Sequence, residues 1–294
     1  MNKRAIIALV ALLVLAFAVS ISCLRRVGEP VYQGKKVSQW FGEIAYQGNG
    51  VAHNDPGVQA LVAMGPDAVP YLMEQFSVSD SRLRKFVIAT GQKFSWLKVH
   101  PMSESERHLR AYVPLMLMGP KAEPAVPELL RLMQATNFQS RLDAFQLLGY
   151  IHGQPELAVP VLMGFLDAWE KNQRLFAISA LGKYGEAAVA AAPQLRAFLE
   201  SEDKETRMRA AIALMGIGDS IDRALPVIGS ILNDPNAPNR YGLLHAVGEL
   251  GEKATSIVPL LIEASKDESS PTRSAVIDAL KRIDPNVAAR AGVR

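Results

Sequence analysis

Prolines stand at Pro127, Pro160, Pro193, Pro226 and Pro259, each 33 residues after the last. Arginines keep the same interval at Arg141, Arg174, Arg207, Arg240 and Arg273, and so does an apolar column of Leu148, Leu181, Leu214, Val247 and Leu280. Three coincident registers constrain the fold more than any other feature, because a fixed period of about 20–50 residues is the mark of stacked supersecondary units.

Within each unit the pattern reads as two helices. The first carries its proline near the start, as in Ala125-Val126-Pro127-Glu128-Leu129-Leu130, where the first-turn amides lack intrahelical partners anyway. The second begins around the ladder arginine and is apolar at offsets three, four and seven, as in Ala210, Ala211 and Leu214 after Arg207. That spacing collects the apolar residues on one helical face. Gly185, Gly218 and Gly251 then supply the turn to the next hairpin. One such hairpin cannot bury its own apolar face, so neighbours must stack into a continuous core. Small residues at Ala144, Ala177 and Ala210 let adjacent helices approach closely. The expected result is a curved superhelix with first helices outside and second helices lining the concave side.

The Val-Pro-x-Leu step, as in Val258-Pro259-Leu260-Leu261, and the Arg-x-x-Ala-x-x-x-Leu step, as in Arg207 to Leu214, resemble HEAT repeats, including those of the phycobilisome lyase group. The resemblance implies an all-α, α-α superhelix of the HEAT solenoid type. It covers residues 104–294 well, and Pro70 and Arg84 repeat the proline-to-arginine offset in an irregular unit near 66–98. From Pro70 to Pro127 about 24 extra residues interrupt the period, and 92–106, with His100-Pro101, are expected to form the irregular connection. The division is then 1–26 as an N-terminal signal anchor, 27–65 as linker and capping helices, and 66–294 as solenoid, irregular to 120 and regular from 121. The stretch from Glu29 to Phe41 is also similar to the start of membrane-anchored HEAT proteins of verrucomicrobial and planctomycete bacteria, which implies a bacterial envelope protein. Trp40 and Phe41 would cap the open end of the solenoid.

Residues 5–23 run 19 positions without a charge, close to the roughly 20 a helix needs to span a bilayer core. Three readings fit: an uncleaved transmembrane anchor stopped by Arg25-Arg26, a signal peptide cleaved after Ala16-Phe17-Ala18, or a lipoprotein acylated at Cys23. The anchor fits the length best. A short basic start at Lys3-Arg4 favours a cytoplasmic N-terminus and a folded body in the periplasm, against the charges of Arg25, Arg26, Lys35 and Lys36.

The net charge of +3 belongs to this segment. Without Lys3, Arg4, Arg25 and Arg26 the chain holds 28 basic against 29 acidic residues, so a counterion-release grip on nucleic acid has no basis. Cys23 is the single cysteine, which leaves the body with neither a disulfide nor a thiol nucleophile. His53, His100, His108, His152 and His245 lack metal-ligand spacing, and no His-Glu dipeptide occurs, unlike the iron-binding HEAT protein deoxyhypusine hydroxylase. Glu200, Glu202 and Asp203 read as a solvated loop rather than an acid–base pair. The expectation is therefore no catalytic residue, no metal and no cofactor.

The arginine ladder reads as structural, each rung meeting a carboxylate such as Asp167 or Glu200 of the preceding first helix. Recognition is expected instead at offsets one, two and five from each ladder arginine, where Phe176, Met208, Arg209, Ile212, Tyr241 and His245 form an adaptable surface. Leu142 and Leu175 in the first of these columns are expected to pack between repeats. The favoured function is a membrane-anchored scaffold docking a protein or peptide partner of unassigned identity; the alternative is a HEAT-like lyase or other enzyme handling a small molecule or chromophore in the same groove.

Overall fold

The structure is a computed structural model that describes residues 28–47, 50–77, 102–134, 138–234, 239–266 and 272–290. It opens with a two-residue antiparallel pair, β1 (Val31–Tyr32) and β2 (Lys35–Lys36), in the register Val31 to Lys36. The sequence pattern held no strand. Gln33 and Gly34 make the turn, both with positive φ, as a tight hairpin of the primed type requires.

Apart from an isolated bridge between Tyr46 and Val51, the elements that follow among the described residues are helices. Helices α1 (Val37–Glu43), α2 (Pro56–Met64), α3 (Val69–Ser77) and α4 (Glu104–Met118) form the irregular N-terminal part. Five hairpins then pair α5 (Val126–Leu132) with α6 (Phe138–Ile151), α7 (Pro155–Gly164) with α8 (Lys171–Tyr184), α9 (Ala192–Phe198) with α10 (Lys204–Ile217), α11 (Ile221–Leu232) with α12 (Arg240–Glu249), and α13 (Val258–Ser265) with α14 (Arg273–Ile283). A last short helix, α15 (Pro285–Arg290), packs on α14. The apolar column of the repeat is the core: Leu148, Leu181, Leu214, Val247 and Leu280 are all fully buried. Residues at the N-terminal end close the stack there. Phe41 is 2% exposed and meets Tyr71 edge to face, while the Trp40 indole donates to the Tyr32 carbonyl at 2.9 Å.

Three of the ladder arginines, Arg174, Arg207 and Arg273, bond backbone carbonyls in place of the carboxylates expected of them. Arg174 donates to the Ala168 carbonyl at 2.9 Å, Arg207 to the carbonyls of Ser201 and Glu202, and Arg273 to that of Ser265 at 3.1 Å. Ala168, Ser201 and Glu202 lie in the loop between the two helices and Ser265 at the last residue before it, so each guanidinium fastens the loop inside its own hairpin. Arg141 lies 3.6 Å from Glu170, in the next hairpin. Asp167 and Glu200 are engaged elsewhere, by Gln194 and Arg223.

The expected irregular connection is described only at its end. Residue 84 and most of 92–106 lie outside the described residues, but Ser103 caps α4 by accepting from the Glu106 amide, so 104–106 are helix. Helix α4 packs on α3. His108 stands one period before Arg141 and does the ladder's work. Its Nδ1 meets the Phe76 carbonyl at the end of α3 at 3.2 Å, and its ring stacks on Phe76 at 4.1 Å.

Among the described residues no helix is long and apolar enough to cross a membrane. The segment 5–23, expected to be the anchor, lies outside the described residues.

Candidate functional site

Second helices pack against one another more extensively than first helices do, and glycine is the reason. Eight residues after the ladder arginine stand Gly149, Gly182 and Gly248, and a Cβ on them would meet Ala180, Ala213 and Ala279 of the next second helix at 3.4, 2.6 and 3.3 Å. Absence of a side chain lets the backbones close to contact. The second helices therefore form the more closely stacked side of the solenoid.

One junction breaks the rule. In α10 the equivalent residue is Met215, fully buried, and α10 and α12 are the most weakly joined pair of successive second helices in the regular stack. This is the junction where methionine stands in the register that carries glycine at three others. A groove of about 530 Å³ opens there, with Gly182, Ala213, Gly216 and Ala246 in its floor and Tyr150, Lys183, Arg209, Ile212, Glu249 and Lys253 around it. A smaller depression of about 280 Å³ lies toward the hairpin loops, between Lys171, Asp203, Val227 and Ile231.

The groove's charged groups are tied into place. Lys183 sits 3.6 Å above the Tyr150 ring and 3.2 Å from Glu249. Arg209 bonds Glu205 at 3.0 Å and the Ser179 hydroxyl at 2.9 Å, with its guanidinium 5.7 Å from the Phe176 ring. Lys253 donates to the Gly216 carbonyl at 3.3 Å, on the C-terminal turn of α10, where a cation is favoured. At the loop side, burial works against Asp203, but hydrogen bonds from Lys171 and Thr206 hold its carboxyl down to about 2.

Of the six residues expected to recognise a partner, the structure brings Met208, Arg209 and Ile212 to the groove. Met208 is corrected as a surface residue: it is 5% exposed and forms part of the wall shared by both depressions. Leu175, also in the first column, is buried, because that edge of the helix faces the neighbouring hairpin. Phe176 is half-buried under Arg209. Tyr241, 64% exposed, and His245 border a separate shallow hollow of about 50 Å³ against α14. Sequence reasoning passed over Tyr150, Lys183, Gly216 and Glu249. They stand nine residues after their ladder arginines, one turn beyond the last column considered, on the same stripe. Among the described residues no group of three or more His, Cys, Asp or Glu is placed to hold a metal ion.

The HEAT repeats family pattern matches residues 159–242 and 225–291. No curated protein sequence matches the chain. Among solved structures, the complex of CpcE and CpcF of phycocyanin lyase from Nostoc sp. PCC7120 is similar over 90% of this chain and 96% of that chain, at 18% identity and a TM-score of 0.54. An engineered protein aligns over 74% of this chain and 96% of its own, at 18% identity and a TM-score of 0.38. The described residues have the fold of a HEAT-like helical solenoid, with HEAT repeats matched within residues 159–291. At 18% identity the likeness to the lyase subunits is one of fold.

Proposed function

We propose that the protein is a non-catalytic scaffold, anchored through residues 5–23 with its body outside the cytoplasm, that docks a protein or peptide in the groove between α10 and α12. The observation that carries this reading is the groove itself: an open furrow at the junction where Met215 departs from the glycine register, lined by residues of four successive second helices. An extended segment can lie along such a furrow and touch several repeats at once, as solenoid inner faces allow. Ile212 supplies an apolar contact and Arg209 a planar donor, and arginine is enriched among residues that dominate interfaces. The solenoid neighbour is itself a complex of two protein subunits, which favours a macromolecular occupant. Tyr241 and His245 would extend the contact if the partner continues across α12.

A photo-crosslinking residue placed at Ile212 in the full chain, activated in membranes of the native host, tests the proposal. A discrete protein adduct is expected, reduced by Arg209→Ala and by Tyr241→Ala. Recovery of a small-molecule adduct in place of a protein one would transfer the groove to the lyase-like alternative.

A further inference from the structure

The geometry points to an acidic segment as the occupant of this groove: an extended peptide whose carboxylates face Arg209 and Lys253. The inference rests on the groove reading above and adds the partner's chemistry. Three cations line the groove, Lys183, Arg209 and Lys253, against one carboxylate, Glu249. The loop-side depression is balanced, with Lys171, Lys204 and Arg207 against Asp203, Glu205 and Asp234. The excess is therefore local to the groove and is not a property of the whole body.

The cations differ in how far their charge is met. Lys183 and Glu249 cancel each other at 3.2 Å. Arg209 has Glu205, which lies outside the groove lining. Among the described residues Lys253 has no carboxylate partner; its ammonium rests on the Gly216 carbonyl and lies beside Gly185, on which a Cβ would stand 2.7 Å from it. Lys253 thus marks the ends of two helices, α8 and α10, with a full charge answered only by backbone dipoles. A carboxylate entering the groove supplies the missing counter-charge, and Ile212 and the glycine–alanine floor admit small or aliphatic residues between acidic ones. A basic segment would meet like charge from three repeats.

The test uses the full chain in detergent and a short fluorescein-labelled peptide of glutamate, glycine and leucine, with a counterpart in which lysine replaces every glutamate. Anisotropy should show the acidic probe binding at least about tenfold tighter, with affinity falling as salt is raised. Arg209→Gln and Lys253→Gln should each weaken it about three- to fivefold, the range of a single exposed ion pair, with melting temperatures recorded alongside. Glu249→Gln should strengthen binding about threefold, a gain that misfolding does not produce. Equal or tighter binding of the lysine probe, or no gain from Glu249→Gln, overturns the inference. If crosslinking at Ile212 captures a protein segment that carries no excess of acidic residues, the groove reading stands and this one falls. If neither capture nor probe binding occurs, both fall.

Discussion

Lys183 and Glu249 lie 3.2 Å apart although two repeats separate them in sequence, and Gly216 occupies the equivalent position of the helix between. Any longer side chain there would stand where the two extend toward each other. Its backbone is crowded as well: a Cβ on Gly216 would fall 2.4 Å from the Gly182 carbonyl oxygen, and one on Gly182 would fall 2.6 Å from the Ala213 Cα.

Gly216→Ala and Gly182→Ala should therefore each destabilise the fold by about 1–3 kcal/mol, the usual cost of overpacking against backbone that cannot yield. Gly42→Ala in α1, where a Cβ would have nothing within 4 Å, should be neutral or stabilising by up to about 1 kcal/mol. Chemical denaturation of the three variants separates close packing from helix propensity.

Arg207→Ala should cost about 2 kcal/mol, since it leaves the carbonyls of Ser201 and Glu202 without a charged donor. Arg207→Lys should recover part of the loss. Equal stability of wild type and Arg207→Ala in urea titration would remove the ladder's structural role.

Asp203 caps α10 through the Thr206 amide and bonds Lys171 of the preceding second helix at 2.8 Å. With its carboxyl held down to about 2 in the folded chain and near 3.9 in the unfolded one, its contribution is complete above about pH 4 and is lost as pH falls toward 2. Asp203→Ala should cost about 1 kcal/mol at neutral pH, and the gap to wild type should narrow between pH 4 and 2. A gap that does not change across that window would show that Asp203 acts through something other than its charge.

The anchor is tested by fractionation. Full-length protein should remain in membranes through an alkaline carbonate wash, and a chain beginning at Val27 should be soluble. Release of the full-length protein would favour cleavage after Ala18, and incorporation of a fatty-acid analogue at Cys23 would favour the lipoprotein reading.

The solenoid was legible because its determinants are periodic. Pro127 to Pro259 and Leu148 to Leu280 repeat in register, and burial follows the apolar column without exception. The ladder's position was legible and its chemistry was not, since backbone carbonyls carry no mark in a sequence and a nearby Asp167 or Glu200 does. His108 escaped notice because it replaces arginine at its rung, although its imidazole meets the same kind of carbonyl. The groove had a signal that could have been read: Gly149, Gly182 and Gly248 share one register, and Met215 is its single departure between them. Buried Met208 shows the limit of offsets counted from one helix, because whether an edge position is covered depends on how near the next hairpin comes.

The connections between hairpins carry a longer rhythm than the sequence period. Gly119, Gly185 and Gly251, 66 residues apart, turn with positive φ into the 3₁₀ segments Gly119–Ala125, Gly185–Ala191 and Gly251–Ile257. Between them, the αL residues Gln154 and Ser220 lead straight into α7 and α11, which are correspondingly longer. Pro160 and Pro226 consequently lie inside their helices, whereas Pro127, Pro193 and Pro259 sit in the first turn. The stack therefore has parity. Excising one hairpin would join two connectors of the same kind and shift every later helix onto the wrong phase, whereas excising or duplicating a pair would preserve the alternation, so the cassette by which this solenoid can be shortened or lengthened is two hairpins.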